Sequence, residues 1–338
     1  MKMRENRWHL RHRFCLGTVF LGTMFCGAAS ADREISAWER DRVGLTAAQA
    51  SAADEVYYGN AHPYLEEPWE TLRKEIPELK RVQPAGDQRA LPEILKKTAT
   101  NVDDFFANFV DLIAREKIRQ ERMSGRGLVT GVEQVEDSYL ILRHESEGRT
   151  EISEYRMDAK GNRLDLEQAG LEHGFMVTSG YAMHCNFFAT AFQRESAFRY
   201  LGDEKLGGRD TYVVGFAAKP GKASLHVTMR GAGGTKMTML EQGIAWVDKE
   251  TFQIVRMRTD LLAPHPEIGM LQQTTEVSFE KVQLPDVGAP LWLPSVVKVY
   301  IKKKLERDGV LFEGSYRNEH HYTDYRHYGV SVKMKTVQ

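Results

Sequence analysis

The sequence predicts a mainly β protein of the α+β class, built on an antiparallel sheet with helices packed against it. The first observation is a series of strand-like segments between residues 198 and 328, separated by turn residues. The second is their alternation: Val297, Val299 and Ile301 share one side of a strand, and Lys298 lies on the other. Such period-two patterns are typical of strands with one covered face and one face in water. No β-α-β alternation interrupts the series, which argues against a parallel sheet.

Three turn signals predict how these strands pair. Gly207-Gly208 separates two apolar runs and accommodates positive φ angles, as tight hairpin turns require. Residues 248–251 begin with Asp248 and predict a four-residue loop built on a type I turn. Asp308-Gly309, between two further strand-like runs, is a strong hairpin signal. The sequence therefore predicts three successive antiparallel hairpins.

The first 31 residues are predicted to be a secretory signal peptide rather than part of the fold. A basic start is followed by an apolar run at residues 14–27 and by the small residues Ala29-Ser30-Ala31. The apolar run is shorter than the roughly 20 residues that a permanent membrane anchor needs. Phe25 is too bulky for the position before a lipidated Cys26. We therefore expect cleavage near Ala31 and free export to the periplasm or the medium.

The net charge that remains after cleavage argues against nucleic acid as a partner. The signal contains five of the 46 Lys and Arg residues and one of the 47 Asp and Glu residues, which leaves 41 and 46 and a net charge of −5. Such a chain has no electrostatic attraction for nucleic acid.

Cys185 is the one cysteine left after cleavage of the signal peptide. An internal disulfide is therefore excluded, and the hydrophobic core must stabilise the fold.

Residues 32–90 are predicted to form an N-terminal extension that wraps around the domain formed by residues 91–338. Four prolines interrupt this extension and exclude a long helix, while its aromatic residues provide apolar surface for packing. We expect short helices at residues 47–56 and 69–76.

A longer helix is predicted to begin at Leu91-Pro92-Glu93 and to continue to Val110. Proline and an acidic residue suit a first helical turn, and apolar residues recur at helical spacing along the segment. Asn101 or Asp103 would cap a second segment if the helix restarts there.

The next segments complete the prediction of secondary structure. Residues 113–123 fit either a continuation of the helix or a highly charged first strand. Residues 139–143 and 152–156 are predicted strands, and residues 160–162 are a predicted turn.

The segment from residue 171 to residue 192 is rich in aromatic residues and methionine. Two interpretations fit it: a helix or loop packed into the core, which is the usual role of apolar stripes, or a lid over a cavity inside the sheet. Flexible methionine side chains suit a site that accepts variable apolar shapes. The side chains expected to contact an apolar ligand combine this segment with the preceding helix: Phe175, Met176, Met183, Phe187, Phe188, Phe105 and Phe109.

Several segments resemble a group of uncharacterised exported proteins from acidobacteria. They are Leu91-Pro92-Glu93-Ile94, residues 174–180, residues 208–214, and residues 246–248 with 259–264. More distantly, residues 243–258 are similar to the periplasmic lipoprotein-carrier (LolA-like) superfamily. This second resemblance implies a curved, unclosed antiparallel sheet, or half-barrel, with helices on its concave apolar side. Fold does not determine function, and no ligand-binding residue of these carriers is matched here.

The histidine-rich end of the last predicted strand does not converge on a metal site unless a bulge interrupts the strand. His320 and Asp324 share one side of a strand, His321 lies on the other, and His327 follows at the end. We expect a polar, tyrosine-rich edge strand instead.

Three other groups of residues lack the spacing that catalysis needs. His184-Cys185 are adjacent and point apart, so Cys185 is expected to be a buried, hydrophobe-like cysteine. Gly231-Ala232-Gly233-Gly234 lies between strands rather than before a helix, which argues against a phosphate-binding loop. Asp165, Glu167 and Glu172 are three of many acidic residues. We therefore assign no catalytic residue, no metal and no cofactor.

The function expected from the sequence is non-enzymatic binding of an apolar or amphipathic ligand, a lipid or an acylated chain, in the cell envelope. The alternative is an interaction module that docks a partner through a sheet edge or the N-terminal arm. A hydrolase that uses the histidine-rich end is the least favoured function. An apolar, reachable cavity favours the first, and a long bare edge without a cavity favours the second.

Overall fold

The computed structural model describes most of the chain beyond residue 53, namely residues 54–146, 149–158, 160–164, 180–225, 227–230, 236–266, 269–285, 287–307 and 310–329. The described strands are β1 (Gln83–Pro84), β2 (Leu112–Ser124), β3 (Val129–Ser146), β4 (Arg149–Met157), β5 (Arg163–Leu164), β6 (Ser196–Leu206), β7 (Arg209–Ala218), β8 (Val227–Arg230), β9 (Lys236–Met239), β10 (Glu241–Asp248), β11 (Ile254–Leu261), β12 (Met270–Val282), β13 (Leu291–Arg307) and β14 (Val310–His327). Helix α1 spans Trp69–Glu75 and helix α2 spans Leu91–Ala107, and 3-10 helices lie at Tyr58–Asn60, Pro77–Arg81, Tyr181–Phe188 and Gln193–Glu195.

Several sequence predictions fall on residues outside these ranges. They are the signal peptide with Cys26, most of the helix at residues 47–56, Asp165, Glu167, Glu172, Phe175, Met176, residues 231–234 and the turn at Asp308-Gly309. Of the predicted first short helix, residues 54–56 are described and are helical.

Twelve of the described strands form one antiparallel sheet that does not close. Their order is β1-β6-β7-β10-β11-β12-β13-β14-β2-β3-β4-β5, and β8 pairs with β9 in a separate hairpin. The predicted curved, unclosed sheet of a mainly β protein is confirmed. The first and last strands in the order have two residues each, and such short edge strands offer little backbone for pairing with another chain.

The predicted hairpins are present, with one difference in loop length. Gly207 and Gly208 have φ angles of 56° and 88°, as a two-residue turn between β6 and β7 requires. The predicted strand pair β13–β14 forms, with residues 296–307 paired to residues 310–321. Between β10 and β11 the loop extends to Gln253, because Phe252 adopts a left-handed φ of 57°. As predicted, Asp248 organises this loop: its Oδ1 accepts the N–H groups of the second and third residues after it, at 3.0 and 2.8 Å.

Helix α2 is continuous, so the predicted restart near residue 101 is wrong. The Asn101 amide donates instead to the carbonyl oxygen of Thr251 at 2.8 Å, and Asp103 accepts the N–H of Thr190 at 3.1 Å. Tertiary contacts therefore use both side chains that were candidates for a cap. The helix ends at Ala107, and of the two alternatives for residues 113–123 the strand is correct.

The two faces of the sheet are covered by different parts of the chain. Helix α2 and the 3-10 helix Tyr181–Phe188 pack in the main hydrophobic cluster, together with one set of sheet side chains: Val214, Phe216, Ala245, Val247 and Met257. The N-terminal arm packs in a second cluster with other side chains of the same strands: Val213, Ile244, Trp246 and Val255. The arm contributes Leu72, Ile76, Leu79 and Val82 to that cluster.

Strands β10 and β11 therefore differ from the predicted pattern of one covered face and one wet face. Every residue of β10 is buried, since the arm covers the face that the period-two pattern assigns to water. The pattern holds further along the sheet, where Val297 and Val299 are buried and Lys298 is exposed.

Polar contacts also attach the arm to the sheet. The Arg258 guanidinium binds Asp260 on its own strand at 2.8 and 2.9 Å and reaches Glu78 of the arm at 2.9 Å. Tyr58 accepts the N–H of Leu240 at 2.9 Å through its hydroxyl oxygen. These contacts make residues 54–90 part of the packed structure.

Candidate ligand-binding groove

A groove with a volume of about 440 Å³ opens beside the C-terminal half of α2. Its other walls come from the start of β7, the β10–β11 loop, the end of β12 and the connection into β13. Short turns at this end of the sheet bring these segments to the helix although they are far apart in the chain. The volume lies within the range of small-molecule pockets, about 300–1,000 Å³.

The floor of the groove is apolar. Phe105 of α2 faces Leu291 and Trp292 at the start of β13, and Ala289 and Pro290 precede them. Leu291 is buried in the main hydrophobic cluster, and Phe105 and Trp292 are partly buried against it. The groove therefore connects directly to the core on the side of the sheet that carries α2.

The rim of the groove is polar and differs between its two sides. On the helix, Asn101, Asp104 and Asn108 lie three and four residues apart, so they share one face with Phe105. On the sheet side, the rim carries Arg209 and Lys281. The groove thus combines an acceptor-rich helix side with a cationic sheet side.

Neighbouring groups hold several of these rim side chains in place. Arg209 pairs with Asp248 at 3.0 Å, and its guanidinium lies 5.5 Å from the ring centroid of Trp292. The Asn101 amide nitrogen is used by the Thr251 carbonyl, and the Asn108 amide nitrogen donates to the Asp104 carbonyl at 2.8 Å. Each amide therefore has one N–H group bonded to the protein, and these bonds leave its oxygen as an acceptor.

The structure brings one predicted ligand-binding residue to this groove. Phe105 lines it. Phe109, Met183, Phe187 and Phe188 lie in the main hydrophobic cluster, each with 2% or less of its surface exposed. Phe175 and Met176 are outside the described residues, so the ligand contacts expected of these six side chains stay a prediction.

The 3-10 helix Tyr181–Phe188 is held by a buried carboxylate. Glu154 of β4 accepts the backbone N–H groups of Gly180, Tyr181 and Ala182 at 2.5, 3.0 and 3.0 Å, and also the hydroxyl of Tyr139. Gly180 adopts a φ of 92° just before the helix, which glycine does without strain. Burial raises the pKa of Glu154 to about 7, although the three N–H donors act in the opposite direction.

A second polar group, the buried charge cluster, consists of Glu116, Arg156, His320, Tyr322 and Tyr181. The Glu116 carboxylate receives two hydrogen bonds from Arg156, one from Tyr322 at 2.6 Å and one from His320 Nδ1 at 2.8 Å. The other ring nitrogen of His320 lies 3.3 Å from the Tyr181 hydroxyl. The cluster therefore ties β2, β4 and β14 to the 3-10 helix.

The charges in this cluster are stabilised by one another. Burial alone would raise the pKa of Glu116, but Arg156 and the hydrogen bond from His320 outweigh it and hold that pKa at about 2. Burial lowers the pKa of His320, opposed by Glu116. Glu116 is thus ionised and His320 is favoured in its neutral form. Because His320, Glu116 and Arg156 have at most 1% of their side-chain surface exposed, the cluster is closed to a substrate.

The structure corrects the prediction for the histidine-rich segment. Strand β14 lies between β13 and β2 and is not an edge strand. As predicted, His320 and His321 point to opposite sides: His320 is buried, whereas His321 is exposed beside Glu319 at 2.8 Å. A bulge after Thr323 includes Asp324, which has a left-handed φ of 56°.

His184 and Cys185 lie in the interior, within the same 3-10 helix. His184 Nδ1 bonds to the carbonyl of Gly180 at 2.9 Å, and burial lowers the pKa of His184 to about 4. Cys185 is buried, as predicted for a hydrophobe-like cysteine, and its Sγ lies 3.5 Å from the Ala182 carbonyl. This pair is part of the core.

The described ranges contain neither a candidate metal site nor a candidate membrane-spanning helix. No group of three or more His, Cys, Asp or Glu residues there is arranged to hold a metal ion. None of the helices described is long and apolar enough to span a membrane.

Sequence reasoning missed most of the groove. Asp104, Arg209, Lys281 and Trp292 come from four distant segments, and no local pattern connects them. The one available signal was on α2, where Asn101, Asp104 and Asn108 interrupt the apolar pattern around Phe105. Glu116 was also detectable, because it alternates in phase with apolar Ala114 and Ile118 on β2.

Comparisons with known proteins place the chain near two solved structures. No family model and no curated protein matches this sequence. A DUF1329 family protein from Desulfovibrio piger matches with 14% identity and a TM-score of 0.38, over 71% of this chain and 94% of that one. A LolA superfamily protein from Nitrosomonas europaea matches with 13% identity and a TM-score of 0.26, again over 71% and 94%. A LolA superfamily protein is thus among the matches, in line with the distant resemblance seen in the sequence, and at these TM-scores neither structure carries an argument about superfamily or function.

Proposed function

We propose that this protein is exported to the periplasm or the medium and binds an apolar or amphipathic ligand, a lipid or an acylated chain, without catalysing a reaction. The observation that supports this proposal best is the groove beside α2, which has an apolar floor and a polar rim. Pockets for small molecules are typically built this way, with a few polar groups that orient a mostly apolar ligand.

The apolar floor of the groove would bind an alkyl chain through the free energy of apolar burial. Water in contact with the side chains of Phe105, Leu291 and Trp292 is unfavourable by about 25 cal/mol per Å² of apolar surface. An alkyl chain that replaces this water is stabilised by the same amount per unit area. The rim then determines which end of an amphipathic ligand stays near solvent.

The alternative function, docking of a partner through a sheet edge or the arm, has less support. The described edge strands β1 and β5 have two residues each. The arm uses Leu72, Ile76 and Leu79 to cover the sheet, so these side chains are not available to a partner. Hydrolysis at the histidine-rich end also loses support, because His320 is buried and bonded through both ring nitrogens.

The test combines native ligand detection with a matched pair of variants. Protein purified from a cell envelope should carry a lipid or acyl compound detectable by native mass spectrometry, and purified apo-protein should bind a fluorescent fatty acyl probe. Phe105→Ala should weaken probe binding about tenfold, which corresponds to about 1.4 kcal/mol of lost apolar contact.

Phe106→Ala is the control. Phe106 is the next residue of α2, is also partly buried against the main hydrophobic cluster and does not line the groove. It should leave probe binding unchanged. Absence of both a co-purified lipid and probe binding by the wild type would reject the proposed function.

A further inference from the structure

The charges on the two sides of the groove have opposite signs, and this asymmetry restricts the ligand. Asp104 stands on the helix side and Lys281 on the sheet side, and both line the same volume. Both side chains are exposed, and neither has an ion pair with another described residue. Two unpaired opposite charges across one groove are complementary to a ligand that carries both charges.

The groups beside Asp104 include two amide acceptors. Asn101 and Asn108 each donate one of their two amide N–H groups to the carbonyls of Thr251 and Asp104, and their amide oxygens remain as acceptors near the carboxylate. An ammonium group, which has donors or a positive charge and no acceptor, suits this side.

The groups beside Lys281 are cationic. Arg209 is fixed by Asp248 and lies against Trp292, and half of its side-chain surface stays exposed. Guanidinium and ammonium groups are the usual partners of phosphate oxygens, Arg through its planar fork and Lys as a point charge. A phosphate group therefore suits this side.

The volume of the groove limits the size of the ligand's apolar part. A volume of about 440 Å³ is near the lower end of the range for small-molecule pockets, about 300–1,000 Å³, which favours one alkyl chain over several. The apolar floor between the two charged sides provides the contact surface for that chain.

We infer that the groove binds a single-chain amphiphile with a phosphate–ammonium zwitterionic head group, the ammonium beside Asp104 and the phosphate beside Lys281 and Arg209. The inference rests on the proposed function and specifies its ligand class. Phosphocholine and phosphoethanolamine head groups share this chemistry.

The test compares three dodecyl amphiphiles below their critical micelle concentrations, by displacement of the fluorescent acyl probe. Dodecylphosphocholine is the zwitterion, dodecyl phosphate the anion and dodecyltrimethylammonium the cation. The wild type should bind the zwitterion about twofold to fivefold more tightly than either singly charged compound, because each partly exposed charge contact contributes up to about 1 kcal/mol.

Two variants should then change selectivity in opposite directions. Asp104→Asn should weaken binding of the zwitterion and the cation and leave the anion unchanged or improved. Lys281→Gln should weaken binding of the zwitterion and the anion and spare the cation. Glu75→Gln on α1 and Lys298→Gln on β13 are exposed, matched controls and should change none of the three affinities.

The outcomes separate this inference from the proposed function. Equal affinities for all three compounds, or a preference for the zwitterion that neither variant changes, would overturn the head-group assignment while the groove stays a binding site. Failure of all three compounds and of the acyl probe to bind would overturn both.

Discussion

The guanidinium of Arg156 and the carboxylate of Glu116 form a bidentate ion pair, with Nε to Oε2 at 2.6 Å and Nη2 to Oε1 at 2.7 Å, and both side chains are removed from solvent. Transfer of two charges from water into a protein interior costs several kcal/mol per ion. The pair is tolerated because each charge is matched, and it links β2 to β4 across the intervening strand β3.

Removal of one partner from this pair should be strongly destabilising. Arg156→Met leaves the Glu116 carboxylate buried without a cation, and we expect a loss of about 3–5 kcal/mol in the free energy of unfolding. Urea denaturation measures it. The double variant Glu116→Gln/Arg156→Met should recover much of the loss, since the neutral amide introduced on β2 can still accept hydrogen bonds from His320 and Tyr322.

An exposed ion pair provides the control for this experiment. Lys302→Gln breaks the pair with Glu313, 2.7 Å apart on the surface, and should leave the denaturation midpoint almost unchanged because solvent screens it. A small effect of Arg156→Met would mean that the buried pair does not form.

Stability should depend on pH through Glu241. Burial and then Asp260 raise the pKa of this carboxyl from 4.5 to about 8 in the folded protein. Between these values the folded state holds a proton that the unfolded state has lost, so this group makes stability fall as the pH rises from about 4.5 to about 8. Glu241→Gln mimics the neutral acid and should remove this contribution.

Denaturation of both proteins at several pH values tests this. The stability of Glu241→Gln relative to the wild type should increase as the pH rises towards 8 and stay constant above it. Glu250→Gln is an exposed substitution in the β10–β11 loop, and its curve of stability against pH should run parallel to that of the wild type. Parallel curves for Glu241→Gln and the wild type would contradict the prediction.

Phe187 should behave as a core residue. Its ring is buried and lies 4.7 Å from the ring centroid of Phe216. Phe187→Ala should cost about 3–5 kcal/mol of stability, because it leaves a cavity in the main hydrophobic cluster. Val56→Ala, at a side chain that is 82% exposed, should have little effect. Unchanged thermal stability together with weaker acyl-probe binding would instead indicate a lid.

Gly243 should not tolerate a side chain. A Cβ atom there would lie 2.0 Å from the carbonyl oxygen of Arg258 and 2.6 Å from the ring of Phe216. Gly243→Ala should therefore destabilise the protein by at least about 1–3 kcal/mol through overpacking. Gly86→Ala is the matched control, since nothing lies within 4 Å of its Cβ position. Similar melting temperatures for the two variants would show that β10 and β11 are spaced differently.

The mature protein should begin near Asp32. Small residues precede this position, and the residue before Cys26 does not suit lipidation. Intact-mass measurement of the protein from its native envelope reads the N-terminus directly. A diacylglyceryl mass on Cys26, or an uncleaved leader, would contradict free export.

Local features of this protein were predictable from the sequence because their causes are local. The Gly207-Gly208 turn needs only two adjacent residues that adopt positive φ angles, and the burial of Val297 and Val299 beside exposed Lys298 needs only alternation along one strand. Pro92 at the start of α2 is a signal of the same kind. These local rules determined the antiparallel class, the start of the helix and many of the strands and turns, whereas residues 113–123 stayed open between helix and strand.

The tertiary structure alone decided which side chains meet. Glu116 and Arg156 are 40 residues apart, and Glu116 and His320 are 204 apart, so pairing depends on the order and register of β14, β2, β3 and β4. The groove likewise joins Asp104 of α2 to Lys281 of β12. The total apolar surface that the whole chain buries determines the strand order and the face of the sheet that the arm covers. No single segment encodes that sum, and the sites that depend on it appear only in the folded molecule.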